Sequence, residues 1–96
     1  MFKRLGNKIS YVVDGKELAY VTYPFIMENV VEINHTVVDE SLQGQGIASR
    51  LLNEAYLDIC EHNYKAKLSC SYAIKWFERH PECSDVLSRW LYGYKF

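Results

Sequence analysis

Apolar and polar positions alternate in the first third of the chain and then change period. Ile9, Tyr11 and Val13 alternate with Lys8, Ser10 and Val12, the period of two that marks a strand. Asp14-Gly15 follows. That dipeptide between two strand-like runs predicts a tight hairpin, because both central residues need positive φ. The second strand runs from about Glu17 to Thr22, and Tyr23-Pro24 breaks or bends it, since proline cannot donate to a ladder. Met27-Glu28-Asn29 is the next turn, and a third strand spans Val30–Val38. Three short strands with short links predict an antiparallel meander.

From Gly46 onward the period becomes helical. Ile47, Leu51, Leu52, Ala55, Tyr56 and Ile59 share one broad face, while Ser49, Arg50, Asn53 and Glu54 lie mostly outside it. Asn63 is placed to end this helix. Ala66–Cys70 is a short strand, expected to lie parallel to the third strand through a right-handed crossover. Ser71 is placed to cap a second helix over Tyr72–His80, which Pro81 ends. A short third helix is expected over Ser84–Tyr92. The order βββαβα defines an α/β (α+β) domain with a mixed, mostly antiparallel sheet of about four strands and two or three helices.

Composition narrows the function classes. At 96 residues the chain, 1–96, makes one domain, and 49% apolar content excludes disorder. The net charge of −1, with no basic run or acidic tail, removes the bulk electrostatic case for nucleic acid or an anionic membrane. No apolar run approaches membrane-spanning length. The opening Met1–Gly6 leads into polar residues instead of the apolar core of a secretion signal, and the cysteine count, Cys60, Cys70 and Cys83, is odd. A reducing, cytoplasmic setting is therefore expected. No metal site is expected, because the histidines and cysteines show no Cys-x-x-Cys or His-x-x-x-His spacing. Lys75 and Arg79 suit a solvated charged face or contact with a phosphate.

The candidate chemistry gathers where strand passes through loop into helix, Val30–Leu52. Gly44 and Gly46 sit at the start of the helix, where free N–H groups and the helix dipole favour an anion. Neither common nucleotide fingerprint is present. Ser49 stands where Gly-x-Gly-x-x-Gly needs its last glycine, and Gly-Lys-Ser/Thr is missing. On composition alone, a plain turn with a glycine at the helix start accounts for the pair equally well.

Two separated stretches go further. Gln43-x-x-Gly46-x-Ala48, after an apolar strand and at the head of an amphipathic helix, resembles the Gln/Arg-x-x-Gly-x-Gly/Ala signature of the GNAT N-acetyltransferase superfamily. Cys70-Ser-Tyr-Ala-Ile-Lys-Trp-Phe-Glu-Arg-His-Pro-Glu82 is similar to the second signature of a minimal, single-domain branch. The resemblance covers roughly residues 8–83. The helices that larger members carry between their first two strands are missing here, as in that branch, and with them goes one wall of the acceptor site.

The resemblance implies acetyl-CoA as co-substrate and an amine as acceptor. The N–H groups of Gln43, Gly44, Gln45, Gly46, Ile47 and Ala48 would bind the pyrophosphate, and Val37 and Val38 would pair with the pantetheine arm. The sheet would splay between the strands Val30–Val38 and Ala66–Cys70, with the thioester in the opening. His35 is expected on the same face of its strand as Val31, Ile33 and Val37. A lone strand histidine is more often structural than catalytic, but beside a pantetheine-binding pair it suits a general base. Glu32 and Glu28 compete for that role, Glu32 being expected on the opposite side of the strand from His35. Cys70, just before a helix start, has three readings: a nucleophile taking the acetyl group, an acid protonating the leaving thiolate, or a buried small residue lining the pocket. Tyr72 is a second candidate acid and pocket residue. The expected function is acetyl transfer from acetyl-CoA to an amine, through Cys70 or directly. The alternative is a non-catalytic acyl-CoA-binding sensor or adaptor. A monomer or weak dimer is expected, with the aromatic end Trp90–Phe96 covering the core or meeting a partner.

Overall fold

The computed structural model describes residues 1–88. Its strands are β1 (Phe2–Arg4), β2 (Lys8–Val13), β3 (Lys16–Thr22), β4 (Phe25–Met27), β5 (Val30–Ile33), β6 (His35–Val38) and β7 (Lys65–Leu68). The helices are α1 (Ile47–Glu61) and α2 (Ser71–Arg79), with 3-10 turns at Glu40–Leu42 and Pro81–Val86. The β2–β3 hairpin closes as its dipeptide dictates: Asp14 and Gly15 have φ of 50° and 77°, and Val13 faces Lys16.

The stretch Val30–Val38 is not one strand. It divides at Asn34 into β5 and β6, and its antiparallel neighbour divides at Tyr23-Pro24 into β3 and β4. The first half of each pairs with the second half of the other, so β3 and β6 fall in the sheet β1-β2-β3-β6 and β4 and β5 in the sheet β4-β5-β7. Local chemistry explains the division. Asparagine is a poor strand residue. Its amide oxygen accepts from Thr22 Oγ1 at 2.6 Å, and its N–H reaches the Thr22 carbonyl at 3.2 Å. Pro24 has no N–H to give to a continuing ladder.

Beyond the division, β7 lies parallel to β5, with Val31 opposite Ala66. The ladder ends where the N–H groups of Ser69 and Cys70 both reach the Ile33 carbonyl, at 3.1 and 3.2 Å. After Ile33 the chain pairs with β3 instead, so β6 is the last strand of its sheet and, among the described residues, its far edge is unpaired.

α1 covers the sheets with Ile47, Leu51, Leu52, Ala55 and Ile59, which pack with Ile9, Val21, Val31 and Ile33 in one core. Each of the larger aliphatic side chains contributes roughly 1.5–3 kcal/mol through burial. Asn63 ends the helix as expected: with φ of 58° it donates to the Cys60 carbonyl, and Tyr64 N–H reaches Ile59. These paired bonds close the last turn.

A polar cluster locks the same end. Asp58, 6% exposed, accepts from the buried Tyr23 hydroxyl at 2.7 Å and lies 3.5 Å from Arg4 and 3.2 Å from His62 Nδ1. Arg4 also reaches Glu61 at 2.9 Å, tying β1 to the helix. Burial, helped by the bond to Asp58, pushes the Tyr23 hydroxyl pKa up.

α2 begins one residue early. Cys70, not Ser71, is its N-cap, and no side chain caps it. The expected third helix is not formed over its described part. Ser84–Val86 belong to a 3-10 turn, and Leu87 bridges to Ala66 beside β7. The rest of that segment and the aromatic end lie outside the described residues.

Candidate functional site

The head of α1 lies against the unpaired edge of β6, and between them runs a groove of about 430 Å³. Thr36 and Val38 of β6 form one wall, Leu42, Gln43, Gly44 and Gly46 the loop side, and Ile47, Ala48 and Tyr72 the helical side. Gly44 and Gly46 have φ of 84° and 73°, a region that favours glycine. Gly46 is the N-cap of α1 and makes no side-chain cap bond.

The loop upstream satisfies itself. Asp39 accepts from Ser41 N at 3.0 Å and from its hydroxyl, and Leu42, Gln43 and Gln45 donate back to Asp39, Glu40 and Leu42 carbonyls. The bonds from Ser41 hold the Asp39 carboxyl below its ordinary pKa. The next amides are different. Among the described residues, no acceptor meets the N–H groups of Gly44, Gly46, Ile47, Ala48 or Ser49. Unsatisfied donors at a helix head, lined by glycine and open to a groove, have the chemistry that suits an anion.

Several anticipated residues line the groove: Val38, Gln43, Gly44, Gly46, Ile47, Ala48 and Tyr72. Gln45 does not; its side chain turns back toward the Ser41 carbonyl at 3.4 Å. Cys70 stands at the flank, half-buried, with Sγ 3.6 Å from Thr36 Oγ1. Thr36 and Leu42 were not anticipated. The division at Asn34 explains Thr36, because it shifts the alternation by one position. Val31 and Ile33 are buried against the core, whereas His35 and Val37 are exposed and Thr36 and Val38 are half-buried.

The expectation that His35 shares a face with Val31 and Ile33 is therefore corrected. His35 and Val37 lie on the face turned away from α1. Alternation from Val31 and Ile33 puts Glu32 on that face too, so Glu32 and His35 are on the same side, not opposite sides as expected. Glu32 accepts a hydrogen bond from the hydroxyl of Ser69, the residue before Cys70. The signal in the sequence was Asn34 itself, a turn-former inside an apolar run.

The three cysteines are free thiols. Burial pushes the Cys83 thiol up to about 11, well away from reactivity near neutral pH. Among the described residues, no three His, Cys, Asp or Glu side chains come together in a way that could hold a metal ion. No described helix is long and apolar enough to cross a membrane.

A split sheet beside a glycine-lined helix head makes this a mixed α/β fold whose family sequence comparison identifies. Residues 8–86 match the family described as GCN5-related N-acetyl-transferase, and the chain belongs to that family. The chain is similar to Protein NATD1 of Gallus gallus and of Homo sapiens, each 32% identical over 63 residues, or 66% of this chain. Those matches span 57% and 56% of the two relatives, so the chain covers little more than half their length. A GCN5-like putative N-acetyltransferase from Staphylococcus aureus superposes with a TM-score of 0.74 at 32% identity, over 92% of this chain and 87% of that one. The ribosomal-protein-S18-alanine N-acetyltransferase of Escherichia coli shares the fold, with a TM-score of 0.63 at 19% identity, over 76% of this chain and 50% of its own.

Proposed function

We propose that this protein transfers an acetyl group from acetyl-CoA to an amine. The observation that carries the reading is the set of free N–H groups at Gly44 and Gly46–Ser49, opening on a groove beside the unpaired edge of β6. The residues fit the co-substrate. The amides suit its pyrophosphate, with Gly46 giving the backbone close approach. The free strand edge at Thr36–Val38 suits the amide-bearing pantetheine arm, which binds as a short added strand. An arm lying there points its thioester toward Thr36 and Cys70.

The acceptor then approaches from the other face of the sheet, where Glu32 and His35 lie. In direct transfer the amine attacks the thioester carbonyl, its proton passes to His35, and the C–S bond breaks. The CoA thiolate takes a proton from Cys70 or Tyr72. In the covalent route the Cys70 thiolate attacks first and CoA leaves. The amine then attacks the acetyl-cysteine, regenerating the Cys70 thiolate while the base takes the amine proton. A second reading of the base is Glu32, favoured by its hydrogen bond to Ser69 beside Cys70 and by its place on the acceptor face. A cytoplasmic, reducing setting belongs to the same reading, since it preserves the free thiols.

Calorimetry with acetyl-CoA and CoA tests the first step: saturable binding is expected, and none at millimolar ligand ends the proposal. CoA release against a panel of amines then separates an enzyme from a sensor or adaptor, which binds but does not turn over. Intact mass after incubation with acetyl-CoA alone tests the covalent route. No adduct, together with full turnover in Cys70→Ala, removes Cys70 as nucleophile. Comparison of His35→Ala with Glu32→Gln assigns the base, by which variant loses the acidic limb of the pH–rate profile, where protonation of the base slows wild type.

A further inference from the structure

Both helices bury their apolar residues in one core with Val31, Ile33, Ala66 and Leu68. Alternation turns Glu32, Lys65 and Lys67 to the other face of the sheet. The parallel register sets Lys65 opposite Val30 and Lys67 opposite Glu32. That face, from which an acceptor approaches, therefore carries two amines of the chain's own. Both stand on β7, the strand that runs into Ser69 and Cys70.

The two lysines differ. Lys65 is exposed, and its Nζ donates to the Asp85 carbonyl at 2.8 Å. Lys67 is half-buried, and among the described residues its amine meets no carboxylate and no other hydrogen-bond acceptor. Its cross-strand neighbour Glu32 accepts from the Ser69 hydroxyl instead. Ser69 lies two residues beyond Lys67, about 7 Å along the strand. The four-carbon stem of a lysine spans such a distance, so the Lys67 amine reaches the surface around Ser69, next to Cys70. A carboxylate stands beside it to take its proton.

We infer that Lys67 is an acetylation site, filled by the protein from its own acetyl-CoA. The inference rests on the acetyl-CoA reading of the groove. The Lys67 ammonium gives one proton to Glu32, and the freed lone pair attacks the thioester carbonyl carbon. The N–C bond forms, the C–S bond breaks, and a second proton from the nitrogen ends on the CoA sulfur. The product is a neutral acetyl-lysine, one positive charge fewer on the acceptor face. An external amine competes with Lys67 for the same acetyl group.

Intact mass and peptide mapping after incubation with acetyl-CoA and no acceptor test it. Neutral hydroxylamine removes an acetyl group from cysteine and leaves one on lysine. A hydroxylamine-stable acetyl group is expected at Lys67, forming there at least about tenfold faster than on Lys65 or the exposed Lys16, the advantage of a held geometry. Its rate per molecule should not change when the protein is diluted, and excess CoA should suppress it. Glu32→Gln should slow it about tenfold or more. Lys67→Arg should abolish it while binding CoA with wild-type affinity, which also shows that the variant folds. Stable acetylation spread over the lysines in proportion to their exposure, or persisting at Lys67 under saturating CoA, overturns the inference. So does turnover of an external amine by a protein whose Lys67 stays unmodified without acceptor, and the groove reading then stands. Failure to bind acetyl-CoA, with no adduct, overturns both.

Discussion

The two ends of α1 are built in opposite ways. Every helix begins with N–H groups and ends with carbonyls that lack intrahelical partners. At the C-terminus this chain uses its own atoms: Asn63 and Tyr64 N–H close on the Cys60 and Ile59 carbonyls, and Asp58 gathers Tyr23, Arg4 and His62. At the N-terminus it does not. Gly46 stands at the N-cap without a capping side chain, and the amides that follow it stay open. The left-handed φ of Gly46 is not the extended conformation of a capping side chain, so the open end is a property of the backbone. One end supplies stability. The other keeps its donors open to the groove.

The sharpest way to break this division is at Asp58. Asp58→Ala leaves the buried Tyr23 hydroxyl without its acceptor and removes a buried charge from beside Arg4. A loss of about 2–4 kcal/mol is expected in urea unfolding. Acetyl-CoA affinity of the folded protein should be unchanged; if it falls in step with stability, the two ends are coupled. Gly46→Ala tests the open end. A Cβ there meets nothing within 4 Å, so the stability cost is the left-handed backbone alone, about 1–2 kcal/mol. Its affinity for acetyl-CoA should drop about tenfold, because the added methyl stands where the ligand's phosphates must approach.

The smallest effect concerns pH at the closed end. The hydrogen bond from Arg4 holds the Glu61 carboxyl below its ordinary pKa. A lowered folded pKa contributes stability that is complete above the unfolded value and is lost as pH falls through the folded one. The melting midpoint should therefore decline on acidification below about pH 4.5, where carboxylates titrate. Glu61→Gln should flatten part of that decline, and added salt should shrink the difference, because the pair is exposed. The same variant should leave the groove's ligand affinity unchanged.

Much of the frame was legible in the chain. The Asp14-Gly15 hairpin, the apolar face of α1, its end at Asn63 and the parallel placement of β7 all follow from local rules: positive φ, a period of 3.6, and the geometry of a strand–helix–strand unit. β1 and β4 were not legible, because three residues are too few to show a period. The 3-10 turn after Pro81 carries apolar residues at spacings that an α-helix also allows.

At the site, local pattern located the glycine loop and tertiary structure chose its companions. Gln43, Gly44, Gly46 and Ala48 announce a helix head because their order along the chain is itself the geometry of that head. Which strand residues face the groove depends instead on Asn34. The break there reverses the alternation, exchanging Thr36 for His35 and bringing Glu32 and His35 to one face. The place of Lys67 beside Glu32 was likewise invisible, since packing sets the register between strands that are joined through a helix. Sequence by itself determined the turns, the helix faces and the glycine loop at the head of α1, because each is set by neighbours within a few residues. Only the tertiary structure decided the split sheet, the residues lining the groove and the neighbour of Glu32 across the sheet, because those depend on contacts between segments far apart in the chain.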